Sequence, residues 1–259
     1  MEIDAKQRLV TLSVGAFARF SPYSQRSESM GFGNWRAQVG QQWHQEIQKN
    51  APEEGFANEL SINGDIVWNG WTLRLTGRID QIREESDSLY VREIKTVATP
   101  LPIDPLEVAG KYKSYCLQLL IYRELLIRDR KQNAETIALD LLLVEISSGI
   151  TQSIRLDNDA FDALIVDHLD LFANYLDQKS ARLARLRSLQ FKPAYEIPRP
   201  GQENIQTDLK TAFERSPIVC LEAPTGYGKT GVAWEIALQR LATGQVDRIL
   251  YLTSKATGQ

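Results

Sequence analysis

The chain has 259 residues, 43% hydrophobic and 24% charged, with a formal net charge of −3 from 30 basic and 33 acidic side chains. That composition excludes a disordered tail, a collagen-like fibre and a membrane bundle, and it leaves room for one large domain or two modest ones. No run approaches the roughly 20 apolar residues that cross a bilayer. The start MEIDAKQRLV has acids and no apolar h-region and is not a secretory signal, and two cysteines, Cys116 and Cys220, cannot build a disulfide framework, so a reducing cytoplasmic compartment is expected.

A helix is predicted from about Trp35 to Asn50, stopped by Ala51-Pro52. Short β runs follow, punctuated by the turn dipeptides Asn63-Gly64 and Asn69-Gly70. Thr72–Arg83 and Ser88–Val97 read as consecutive long strands about the polar turn EESD, and a proline-rich loop covers 99–105. A helix from about Lys111 to Arg130, an apolar strand over Thr136–Ile146 and a short strand at 150–156 come next.

Residues 157–177 form an amphipathic helix, with Phe161, Leu164, Ile165, Leu169, Phe172 and Leu176 on one face and six aspartates read as a solvated face. His168 lies in this helix outside any motif and is expected to be structural. Residues 1–178 carry a net −8 and residues 179–259 a net +5. The basic stretch 179–192 and the prolines after it predict a linker over 179–198, between a domain of residues 1–178 and a segment of residues 199–259.

Chemistry concentrates first in the two long strands. Period-2 alternation puts Leu89, Val91, Glu93, Lys95 and Val97 on one face, so Glu93 and Lys95 continue an apolar row. A charge buried there needs a partner or a bound ion. Asp80, on the preceding strand, can reach the same end of the sheet. Two carboxylates suit a hard divalent cation such as Mg²⁺ or Mn²⁺, and a neighbouring lysine suits hydrolysis of a phosphodiester. A cross-strand salt bridge among Asp80, Glu93, Arg78, Arg92 and Lys95 is the plainer account of the same residues.

With its neighbours the pattern resembles the PD-(D/E)XK nuclease superfamily, nearest its RecB-like branch. The motifs are Gly40-x-x-x-His44, Gly77-Arg78-Ile79-Asp80, Glu93-Ile94-Lys95 and Gln118-x-x-x-Tyr122, spread over roughly residues 10–150. The resemblance implies an α/β core with a central mixed sheet flanked by helices. It implies that Asp80, Glu93 and the Ile94 carbonyl hold the metal, with His44 as an extra ligand. Lys95 would serve the nucleophilic water, and Gln118 and Tyr122 would orient substrate or lysine. A partly buried structural His44 and plain helix packing for Gln118 and Tyr122 remain open. Several RecB-like nucleases carry a four-cysteine iron–sulfur cluster; with two cysteines none is expected here, and Cys116 reads as a buried small residue.

A second constellation lies at 217–234. An apolar strand, the loop Ala223-Pro224-Thr225-Gly226-Tyr227-Gly228-Lys229-Thr230 and a helix fit a Walker A element. Gly226 and Gly228 would let backbone N–H groups cradle phosphates, Lys229 would reach the β/γ-phosphates of ATP, and Thr230 would hold Mg²⁺. With Gln202 upstream and ILYLTSK downstream as a further strand, the segment resembles the start of a superfamily 2 helicase of the DinG/XPD-like branch, in which Gln202 would contact adenine. The leading expectation is a metal-dependent DNA nuclease domain, nucleoid-associated, attached to the first strand-helix-strand piece of an ATP-driven helicase, with single-stranded or end-containing DNA as partner. A catalytically silent clamp with a nuclease fold and a nucleotide-binding protein with a merely structural N-terminal half are the alternatives.

Overall fold

The computed structural model describes residues 1–22, 33–85, 88–130, 133–156, 158–188, 190, 197, 201–224 and 226–252. Seven strands form one mixed sheet: β1 (Glu2–Asp4), β2 (Leu9–Ser13), β3 (Ala57–Trp68), β4 (Trp71–Glu85), β5 (Ser88–Val97), β6 (Ile137–Glu145) and β7 (Thr151–Leu156). The helices are α1 (Val14–Ala18), α2 (Gly33–Asn50), α3 (Val108–Lys111), α4 (Lys113–Arg130), α5 (Asn158–Arg187), α6 (Gln202–Arg215) and α7 (Lys229–Thr243). The chain divides into two compact units, Met1–Leu176 and Asp177–Gln259. Among the described residues no helix is long and apolar enough to cross a membrane.

In the first unit the strand order is β1-β2-β4-β5-β6-β7, with β3 paired to β4 off this path. β3 lies antiparallel along β4 from Trp68↔Trp71 to Ala57↔Ile82 and covers one edge. The other edge of β4 is shared: β2 pairs parallel with it up to Ser13↔Thr76, and β5 pairs antiparallel from Gln81↔Arg92 onward. Residues 77–80 of β4 therefore face a break in the ladder. β5 keeps its β6 partner throughout, from Leu89↔Ile137 to Val97↔Glu145.

α4 is buried on nearly every side, with Cys116, Leu117, Leu119, Leu120, Ile121, Tyr122, Leu125 and Leu126 all in the core, as a helix apolar all round requires. Burial pushes the Cys116 thiol up to about 12, in keeping with a small core residue. On α5, Phe161, Ile165, Leu169, Phe172 and Leu176 are buried as the periodicity predicts. Arg92 joins β5 to β6 through Asp140 at 2.7 Å.

Several expectations change. Asn63-Gly64 is no turn: it lies inside the single strand β3. Gly64 packs closely under α4, where a Cβ would stand 3.0 Å from Leu125 Cδ2. Asn69-Gly70 does turn the chain, with positive φ at both residues. The acidic helix does not end at residue 177 but runs on through the basic segment to Arg187. Nor are all its aspartates solvated. Asp170 accepts hydrogen bonds from Trp68 Nε1 (2.7 Å) and Asn69 Nδ2 (2.9 Å), whereas Asp162 stays exposed while pairing with the buried Arg123 at 2.5 Å.

In the second unit, α6 and α7 enclose a small core of Leu209, Val232 and Ile236, backed by Ile205, Phe213, Val219 and Leu221. The apolar runs at 217–222 and 249–252, expected within strands, form no ladder among the described residues. A strand is defined by a hydrogen-bonded neighbour, and these runs leave Ile218, Leu250 and Leu252 exposed. Thr225, the linker residues 191–196 and the remainder of the downstream segment from 253 lie outside the described residues.

Candidate active site

The break between β2 and β5 is where the polar groups gather. Asp80 lies one step past the last β4–β5 pair, opposite Glu93, where the two strands part. Parting leaves the Ile94 N–H without a backbone acceptor on that side, and Asp80 Oδ2 takes it at 2.8 Å. Asp80 is thereby fixed by the very strand that carries Glu93. On the β4 side of the break, the Arg78 carbonyl accepts the Tyr122 hydroxyl at 2.8 Å. Gly77 makes room for this: a Cβ there would lie 2.8 Å from Tyr122 Cε1 and 2.9 Å from Val14 Cγ2. The glycine and the aspartate of the Gly-Arg-Ile-Asp motif thus bracket the break.

Glu93 is 1% exposed. Its Oε1 receives Lys95 Nζ at 2.5 Å and Gln118 Nε2 at 2.6 Å, and Gln118 also donates to Tyr122 Oη at 3.1 Å. One turn apart on α4, Gln118 and Tyr122 form a strut from Glu93 to the Arg78 carbonyl. The other carboxylate oxygen, Oε2, is buried without a hydrogen-bond partner. Burial is the main cause that raises the Glu93 carboxyl to about 7, against the opposing pull of Lys95. Lys95 Nζ also lies 5.5 Å from the centre of the Tyr115 ring, a contact with no motif to announce it.

α2 brings the histidine. A Cβ on Gly40 would meet Thr96 Oγ1 at 2.8 Å, so glycine allows the helix to approach β5 closely. One turn on, His44 Nε2 lies 3.2 Å from Asp80 Oδ2, and that contact is the leading cause that raises its pKa. Trp43 packs on Gly149 and directs Nε1 to the Ile146 carbonyl at 3.4 Å, holding the same helix to the loop after β6. His168 stands elsewhere, its Nε2 2.7 Å from the Phe17 carbonyl and its ring against Phe17.

The structure thus brings together His44, Asp80, Glu93, Ile94, Lys95, Gln118 and Tyr122. Among the described residues, however, no three His, Cys, Asp or Glu side chains form a ready-made metal cage. A hard ion that keeps most of its waters needs only one or two carboxylates. A buried carboxylate oxygen with no donor, beside a second carboxylate, fits such an ion. Unpaired, it carries the full penalty of a desolvated acceptor.

In the second unit Gly226 (φ 82°) and Gly228 (φ 83°) are left-handed, the backbone that favours glycine, and α7 begins at Lys229. The Lys229 ammonium donates to the loop's own Ala223 and Pro224 carbonyls, the latter at 2.9 Å. Gln202, buried at the start of α6, donates to the Tyr227 carbonyl at 2.9 Å, and Thr230 is exposed.

The family profile of the PD-(D/E)XK nuclease superfamily matches residues 16–201. Among solved structures, that of SSO0001 aligns with 62% of this chain and 75% of its own length, at 20% identity and a TM-score of 0.39. No curated protein sequence matches.

Proposed function

The chain belongs to the PD-(D/E)XK nuclease superfamily, and on that premise we propose that its first unit is a divalent-metal-dependent deoxyribonuclease of the RecB-like kind, joined to the opening segment of a DinG/XPD-like helicase motor. The observation that carries the reading is the Glu93 carboxylate: one oxygen is locked by Lys95 and Gln118, and the other is buried, unpaired and next to Asp80. A purely structural salt bridge would leave no such acceptor.

Asp80 and Glu93 would hold Mg²⁺ or Mn²⁺, with the Ile94 carbonyl as a further ligand and His44 exchanging its contact with Asp80 for the ion. The ion supplies Lewis acidity toward the phosphate and a more acidic water. Lys95 keeps a positive charge fixed beside Glu93, where it opposes negative charge building on the phosphoryl oxygens. Gln118 and Tyr122 hold Glu93 in register with the break. The left-handed Gly226 and Gly228 ahead of Lys229 and the seat of Gln202 on the Tyr227 carbonyl support ATP binding in the second unit.

The test is cleavage of single- and double-stranded DNA in Mg²⁺ or Mn²⁺, with chelator as control. Glu93→Ala and Lys95→Ala are each expected to lower the rate by about 10²-fold or more, the scale of losing one preorganised electrostatic group. Cleavage that survives both substitutions sinks the assignment. A folded chain that binds DNA and never cuts it is the silent clamp.

A further inference from the structure

Apart from the carboxylate site, one cavity of the first unit has a chemistry of its own. It has a volume of about 400 Å³ and lies between the end of α1, the junction of α3 and α4, and the middle of α5. Arg19, Lys111 and Lys113 line it, with Ser21, Ser114 and His168, and no carboxylate lines it. Among the described residues no ion pair engages any of the three cations. All three are exposed, while the stretch 1–178 around them carries a net −8. Three cations converging on one concavity, in an acidic domain and without acids of their own, repel each other unless an anion joins them.

Position names the anion. Ser114 lies on the same face of α4 as Gln118, one turn before it, so cavity and carboxylate site share one helix. Four residues advance a helix ~6 Å, about two phosphate steps at ~3.4 Å of rise per strand. A strand whose phosphate lies at Glu93 and Lys95 can therefore place a phosphate about two steps away in the cavity. His168, its ring fixed to the Phe17 carbonyl, forms a rigid wall there.

We propose that Arg19, Lys111 and Lys113 form a second phosphate subsite, which grips the backbone of the nucleic-acid strand being cut beside the scissile bond. The subsite rests on the nuclease reading for its substrate, but its binding is measured without cleavage. Contacts of this kind fix register and carry no sequence information.

The experiment is fluorescence anisotropy of a labelled single-stranded oligonucleotide in chelator, over a series of salt concentrations. Arg19→Ala, Lys111→Ala and Lys113→Ala are each expected to weaken binding about fivefold at 0.1 M salt and to lower the log–log salt slope by about 0.7. Lys113→Arg should retain binding, and Lys6→Ala, an exposed lysine at the β1–β2 turn, serves as control. Circular dichroism reports whether each variant is folded. Parental affinity in the three pocket variants, or a loss no larger than that of Lys6→Ala, overturns the subsite. Cleavage by the parent chain, assayed separately, keeps the two questions apart. Loss of binding in the pocket variants of a chain that never cuts refutes the nuclease reading and supports the subsite.

Discussion

Glu93→Gln separates the charge of Glu93 from its shape. In the folded chain the carboxyl is raised to about 7 from an ordinary 4.5, chiefly by burial. Between those values the native state holds a proton that the unfolded chain has lost, so stability falls as pH rises. The stabilisation is fully present below pH 4.5 and gone above about 7. At 1.36 kcal/mol per unit, the whole effect is ~3 kcal/mol, most of which falls between pH 5 and 8. The amide keeps the acceptor for Lys95 and Gln118 but cannot ionise. Urea unfolding in chelator at pH 5 and 8 should show the parent losing about 2–3 kcal/mol relative to Glu93→Gln. Mg²⁺ or Mn²⁺ at ~100 times its dissociation constant should return about 2.7 kcal/mol to the parent at pH 8 and nothing comparable to the variant. Equal pH slopes in the two proteins, or equal stabilisation by the ion, would refute the account of a desolvated carboxylate awaiting a cation.

Tyr122→Phe strips the donor from the Arg78 carbonyl and one anchor from Gln118, and should cost about 1–3 kcal/mol in urea unfolding. Gly40→Ala pushes α2 off β5 through the contact with Thr96 Oγ1, which should lower nuclease activity by moving His44; adding Thr96→Ala removes that oxygen and should restore it. Failure of the rescue places the role of Gly40 elsewhere. Asp140→Ala breaks the largely buried pair with Arg92 and should cost on the order of 3–5 kcal/mol, while DNA binding by refolded protein stays intact. Lys229→Ala should abolish binding of a fluorescent ATP analogue, measured by equilibrium titration; undiminished binding removes the nucleotide role from the loop.

The site was legible in residue types and spacing, because its logic is local. Alternation along one strand is enough to set Glu93 and Lys95 on an apolar face, and a four-residue helical step is enough to align Gln118 with Tyr122 and Gly40 with His44. Cys116 and the apolar row of α5 follow from burial and periodicity in the same way. Where the reading failed, a partner distant in the chain decided the outcome. Gly64 sits inside a strand close under Leu125 and makes no turn, and Asp170 looks solvated until Trp68 and Asn69 are seen to donate to it. The runs at 217–222 and 249–252 have strand-like sequences yet no ladder among the described residues, since pairing is a property of two segments and cannot be written in one.

What the 259 residues carried by themselves was the pattern of an α/β chain, with a carboxylate–lysine motif in its first half and a glycine–lysine loop of Walker A spacing in its second. Only the tertiary structure placed Asp80 and Glu93 at the point where β4 changes partner from β2 to β5. Only it set Arg19, Lys111 and Lys113 around one cavity. Periodicity reports which face a side chain takes, whereas a break in a sheet and a convergence of charges depend on segments far apart in the chain, which only folding brings together.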